Sequence, residues 1–219
     1  MLTIPMQPTR RAESRSGAPA ASALVIGRSE KVLKETVDLL RGDGRVAGAT
    51  NDFDNVLTQF DVASLDVVVF GGMVPPQTRE ALRTDLAAAN PAIVFVQGLA
   101  GIPGLIAEQV RAALVPSGQD PGPIDYDDDR RTVMVSVRAP QPVRVIAFWG
   151  TAFVPPDPES TSEVIFHGMV DAGTHAVPLP AHVPTAASFV VVHVGAGVYP
   201  MVVGPMPPGT TTALRDSPA

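Results

Sequence analysis

Cysteine is absent from the 219 residues, which excludes disulfides, thiolate metal sites and cysteine nucleophiles. Lysine is nearly absent. Only Lys31 and Lys34 occur, and neither follows a glycine-rich loop, so there is no P-loop. The basic stripe of a nucleic-acid binder is missing too, with 16 basic against 22 acidic residues and a net charge of −6. The first 22 residues carry Arg10, Arg11 and Arg15 but lack the apolar run that a signal peptide needs behind its charges. No apolar run reaches the roughly 18 residues of a membrane-spanning helix. These absences predict a soluble, cytoplasmic protein with neither a nucleic-acid nor a membrane partner.

What is present is a well-patterned core, with 45% apolar residues. Val67-Val68-Val69-Phe70 follows Leu65-Asp66 and closes on Gly71-Gly72, the pattern of a central strand buried on both faces. Around it, Ala23–Ile26, Arg45–Ala49 and Ala92–Val96 are further strands. Between them lie helical stretches: Val32, Leu33, Val37 and Leu40 after a Ser29 cap; Val56, Leu57 and Phe60 after Asp52; Ala81, Leu82 and Leu86 after Pro75-Pro76; and Ile106, Val110 and Leu114. Alternation of this kind predicts an α/β domain over residues 22–115, a short doubly wound parallel sheet of four strands.

Residues 116–130 crowd Pro, Gly and Asp together and read as a linker. Beyond it the apolar period becomes two, with Val133, Val135 and Val137, then Val143, Val145, Ala147 and Trp149. Strands are also predicted at Val164–Val170, Thr174–Leu179, Phe189–Val194 and Val198–Val203, so residues 131–206 form a small antiparallel β-sandwich with Trp149 in its core. The ends, 1–21 and 207–219, have the composition of disordered tails.

In a doubly wound sheet, ligands bind outside the carboxyl ends of the strands. The residues there are Gly27, Arg28 and Ser29, then Asn51 and Asp52, then Gly71 and Gly72, then Gln97 and Gly98. A dinucleotide loop needs glycines where the chain meets the pyrophosphate, but Gly27 is followed by Arg28, Ser29, Glu30, Lys31, Val32 and Leu33. Helix N-termini still hold anions, so Gly27, Arg28, Ser29, Gly71, Gly72, Gln97 and Gly98 remain the candidate cofactor-binding set. No particular cofactor is predicted.

Three spans follow one family's rhythm: Leu24-Val25-Ile26-Gly27-Arg28-Ser29-Glu30, Leu39-Leu40-Arg41-Gly42-Asp43-Gly44-Arg45-Val46-Ala47-Gly48, and Asp66-Val67-Val68-Val69-Phe70-Gly71-Gly72-Met73-Val74-Pro75. Over residues 22–114 the chain resembles the receiver domain of two-component response regulators, a flavodoxin-like fold. The resemblance implies a phosphoryl-accepting aspartate and a metal-binding acidic pair. This chain has Gly71 at the first position and Gly27-Arg28 at the second, and the family's fifth-strand lysine has no counterpart. The resemblance thus implies a degenerate receiver with no carboxylate cage for Mg²⁺.

The first and central strands are also similar to those of a short-chain dehydrogenase. That family's tyrosine is followed four residues later by lysine; here Tyr126 is followed by Arg130 and Tyr199 by Val203. Gly27-Arg28-Ser29-Glu30-Lys31 is half a nucleophile elbow, with lysine where the second glycine belongs, and Ser29 serves better as a helix cap. His167, His175, His182 and His193 all fall in the second half without a zinc-motif spacing, and Asp125, Asp127, Asp128 and Asp129 lack EF-hand spacing, so no metal site is predicted.

The reading leans away from an enzyme: a regulatory or protein-interaction protein working on a protein partner or by self-association. The alternative is a Rossmann-like nucleotide- or small-anion-binding protein, NAD(P)-linked if an enzyme.

Overall fold

A computed structural model describes residues 1–7, 20–115, 122–154 and 157–206. The chain divides into two compact units, Met1–Leu114 with Phe153–Pro158, and Val115–Ala152 with Glu159–Ala219.

The first unit runs β1 (Thr3–Gln7), β2 (Ser22–Ile26), α1 (Glu30–Gly42), β3 (Val46–Thr50), α2 (Val56–Gln59), β4 (Val67–Phe70), α3 (Pro76–Ala89), β5 (Val94–Gln97) and α4 (Pro103–Leu114). Its sheet order is β1-β3-β2-β4-β5. The pairs β2–β3, β2–β4 and β4–β5 are parallel, as the alternating pattern predicts. Ser29 caps α1 by accepting from Val32 N at 3.2 Å. That helix ends where Gly44 adopts φ 82° and Arg45 N reaches Leu40 O.

Helices cover both faces. Val25, Val67 and Val69 pack with Leu33, Val37 and Leu40 of α1 and Ile106 and Val110 of α4. Leu24, Ile26, Val68 and Phe70 pack with Val56 of α2 and Leu82 and Leu86 of α3. Residues 67–70 are therefore at most 2% exposed, and each such side chain contributes roughly 1.5–3 kcal/mol by leaving water.

Two expectations fail here. The sheet has five strands, not four, because residues 3–7, assigned to a disordered tail, form β1 antiparallel to β3. The rest of that tail, 8–19, lies outside the described residues. The physical reason is the β3 edge, whose backbone groups need partners. Gly48 permits the approach, since a Cβ there would stand 2.8 Å from Ile4 O and 2.7 Å from Met6 Sδ. The second helix, α2, is short, as expected, at one turn, but Leu57, expected on its apolar face, is 43% exposed.

The second unit runs β6 (Ile124–Asp127), β7 (Thr132–Val137), β8 (Gln141–Val154), β9 (Asp157–Val170), β10 (Gly173–Pro178), β11 (Ser188–Val194) and β12 (Gly197–Val203), with Phe153 and Val154 of β8 and Asp157 and Pro158 of β9 counted in the first unit. Two antiparallel sheets, β10-β7-β6 and β12-β11-β8-β9, face each other. One core joins them: Val133, Val135 and Val177 from the first, and Val143, Val145, Ala147, Val190 and Val192 from the second.

The linker expectation needs correction at 124–127, where β6 pairs with β7. Ile124 and Tyr126 alternate toward the core while Asp127 accepts from Arg130 N at 3.0 Å in the hairpin turn, so period-2 burial overrides acidic composition. Residues 116–121 and the tail at 207–219 lie outside the described residues. Trp149 is on the expected face, but it is half-buried against the edge of the core, its ring 6.2 Å from that of His182.

Candidate functional site

The carboxyl ends of β2, β4 and β5 bring several of the sequence-chosen residues together. The ladder continues past the strands: Gly27 N donates to Thr50 O (3.1 Å), Gly71 N to Ile26 O (2.8 Å) and Gly98 N to Phe70 O (2.8 Å). The backbones close up accordingly. A Cβ on Gly71 would meet Gly27 Cα at 3.4 Å, and one on Gly98 would meet Phe70 O at 3.3 Å. A side chain at Gly98 would press on its neighbours and one at Gly71 would just touch them. Gly72 alone of this group has open space at its Cα.

The side chains there are engaged as well. Gln97 donates through Nε2 to Phe70 O (2.9 Å) and accepts from Arg79 Nη1 (2.6 Å), tying β5 to β4 and to α3. Gln109 of α4 closes the next turn, donating to Gln97 O (2.9 Å) and accepting from Leu99 N (3.0 Å). The buried Ser29 hydroxyl, besides its capping bond, donates to Asp157 Oδ1 at 2.7 Å. Arg28 is exposed; its Nε donates to Met73 O (3.1 Å), and its guanidinium carbon lies 5.8 Å from the Phe53 ring centroid. At the start of α1 the first-turn residue is Glu30, whose carboxylate accepts from Asn51 Nδ2 at 3.3 Å. A carboxylate there repels an incoming anion and already complements the helix dipole.

Beyond β3 lies an open depression of about 390 Å³ lined by Met1, Asn51, Asp52, Phe53, Asp54 and Thr78. Asp52 is 6% exposed and is held by amides. Asn55 Nδ2 reaches both its oxygens (3.2 and 2.9 Å), and Gln59 Nε2 reaches Oδ2 (2.8 Å). Hydrogen bonds from neutral donors make burial of the charge tolerable. Asn55 and Gln59 were missed from sequence; Asn55 is the N-cap and Gln59 the last residue of α2, which brings both back to Asp52.

The histidines are dispersed. His182 pairs with Glu163 (Nε2 to Oε2, 2.6 Å) and His175 Nε2 lies 2.7 Å from Asp171 O. Among the described residues, no group of three or more His, Asp or Glu is placed to hold a metal. Nor is any helix of the described residues long and apolar enough to cross a membrane.

No protein-family model matches this chain, and no curated protein matches it.

One expectation follows for phosphorylation. Gly71 ends the central strand without a carboxylate, and Asp52, at the end of β3, is buried under two amides. Incubation with acetyl phosphate and Mg²⁺ is expected to leave the intact mass unchanged. An acid-labile gain of one phosphoryl group mapped to Asp52 would contradict this.

Proposed function

We propose that this protein is a non-catalytic regulatory or protein-interaction module of the cytoplasm, a degenerate receiver-like α/β unit joined to a β-sandwich. The observation that carries this is the use of the strand-end amides. A phosphate or pyrophosphate is held by backbone N–H groups presented to it, whereas those of Gly27, Gly71 and Gly98 bond neighbouring strands. The Gln97 amide and Ser29 hydroxyl are engaged within the fold in the same way. The residues that could have formed a ligand crevice therefore serve to hold the sheet together. Net charge of −6 further favours protein over nucleic-acid partners.

A thermal-shift screen against nucleotides, NAD and NADP tests the reading. A ligand at a hundred times its dissociation constant adds about 2.7 kcal/mol of stability. We expect no reproducible shift, and a dose-dependent rise with any of these ligands would favour the nucleotide-binding alternative.

A further inference from the structure

Strand β9 ends its sheet, with β8 on one side and, among the described residues, no strand on the other. It is 14 residues long and contains no proline between Glu159 and Val170, so no amide there that faces its open edge lacks a donor. Long edge strands are normally protected by proline, bulges or repelling charge. Here two of the large exposed apolar side chains lie on this one strand, Val164 at 45% and Met169 at 68%.

We infer that β9 is the self-association surface of this protein, pairing antiparallel with β9 of a second copy about a two-fold axis at Ile165. This rests on the interaction reading above and names its partner. The charge pattern selects the occupant. When a sheet continues across a two-fold axis normal to it, opposed residues share a face, so their numbers sum to an even value. With Ile165 opposite itself, Glu163 stands opposite His167 twice, Val164 opposite Phe166, Ser162 opposite Gly168 and Thr161 opposite Met169. No like charges oppose each other between residues 160 and 170, and Glu159 meets Asp171 only past the last residue of the strand, Val170. Shifting the axis to Val164 or Phe166 separates Glu163 from His167 and places Glu163 opposite an apolar residue, Ile165 or Met169. Glu163 meets His182 of its own chain through Oε2, and its Oε1 is the oxygen that His167 of the second copy would meet. An edge of this length falls at the low end of interface areas, around 1,000 Å², the range of weak and transient association.

The test uses the full chain in sedimentation velocity from about 1 to 200 µM, with circular dichroism to confirm folding of each variant. The wild type is expected to pass from monomer to dimer. His167→Glu, which sets two glutamates opposite each other twice, is expected to weaken the dimer at least about tenfold. The exchanged variant Glu163→His with His167→Glu is expected to restore it. Hydrogen exchange should show protection at residues 160–170 that grows with protein concentration, an independent readout if a variant fails to fold. A monomer throughout the range, a dimer indifferent to His167→Glu, an exchange that restores nothing, or protection confined to another segment would each overturn the inference. A monomer that also shows no nucleotide-dependent melting shift would do so while leaving the interaction reading standing; a nucleotide shift would instead remove that reading.

Discussion

Phe70→Ala is expected to destabilise the first unit by about 3–5 kcal/mol, the cost of emptying a large, fully enclosed aromatic site. Phe70 ends the central strand at 2% exposure, packs among Leu24, Ile26, Leu82 and Leu86, and stacks on Phe95 with ring centroids 6.0 Å apart. Phe95 in turn receives Arg83, whose guanidinium carbon is 5.3 Å from its centroid. Truncation therefore removes transfer energy, leaves a cavity and unseats a stacked pair. Against a typical total of about 5–15 kcal/mol, the melting temperature should fall by roughly 15 °C or more. The lone tryptophan, Trp149, belongs to the other unit. If the units unfold separately, the helical circular dichroism transition moves while the Trp149 fluorescence midpoint holds. A loss below about 1 kcal/mol would mean the site collapses around the truncation. Identical shifts of both signals would mean that the chain unfolds as one cooperative body.

Arg111→Ala is the second large effect, with an expected loss of about 3 kcal/mol or more. Arg111 of α4 pairs with Glu108 one turn earlier and with Asp43 beyond the end of α1, where Nε to Oδ2 is 2.9 Å. Glu108 is only 4% exposed, so Arg111→Ala removes the cation that pairs with a buried carboxylate. Burial alone would lower the Arg111 pKa; bonds and charge from Glu108 and Asp43 outweigh it and raise the value, which keeps the cation in place. Nearby Arg45 is shifted the other way, mainly by its burial and against the pull of Asp43. Replacing both partners separates the causes. Glu108→Leu with Arg111→Met removes the charges together, and it should recover most of the stability, because buried pairs contribute little net over apolar isosteres. Urea denaturation of the single and double variants checks this. A double variant as unstable as Arg111→Ala would show that the link to Asp43, rather than the buried carboxylate, holds α1 and α4.

Much of the architecture was legible because the signals that specify it are local. A run such as Val67–Phe70 declares burial on both faces, Ser29 declares a cap, and the alternation from Val133 to Trp149 declares a sheet with one face inward. Where composition and period conflicted, composition misled. Leu2, Ile4 and Met6 alternate ahead of an Arg- and Pro-rich stretch, and Ile124 and Tyr126 alternate among aspartates; both segments are strands.

The candidate site was legible only as a list of positions. Gly27, Gly71 and Gly98 could be named as strand ends from sequence, but their chemical meaning depends on where each N–H points. That was decided by Thr50, Ile26 and Phe70, whose carbonyls stand alongside only once the sheet is assembled. Likewise, an Asp52 in sequence is a potential acceptor or ligand, and only folding places it under Asn55 and Gln59. The sequence by itself therefore determined the periods, the fold class and the positions of the strand ends, since these follow from the burial preference of each side chain along the chain. Tertiary structure alone decided the β1 pairing and the fate of the strand-end donors, because a hydrogen bond is settled by which acceptor lies within about 3 Å, and across a parallel sheet that acceptor comes from a distant part of the chain.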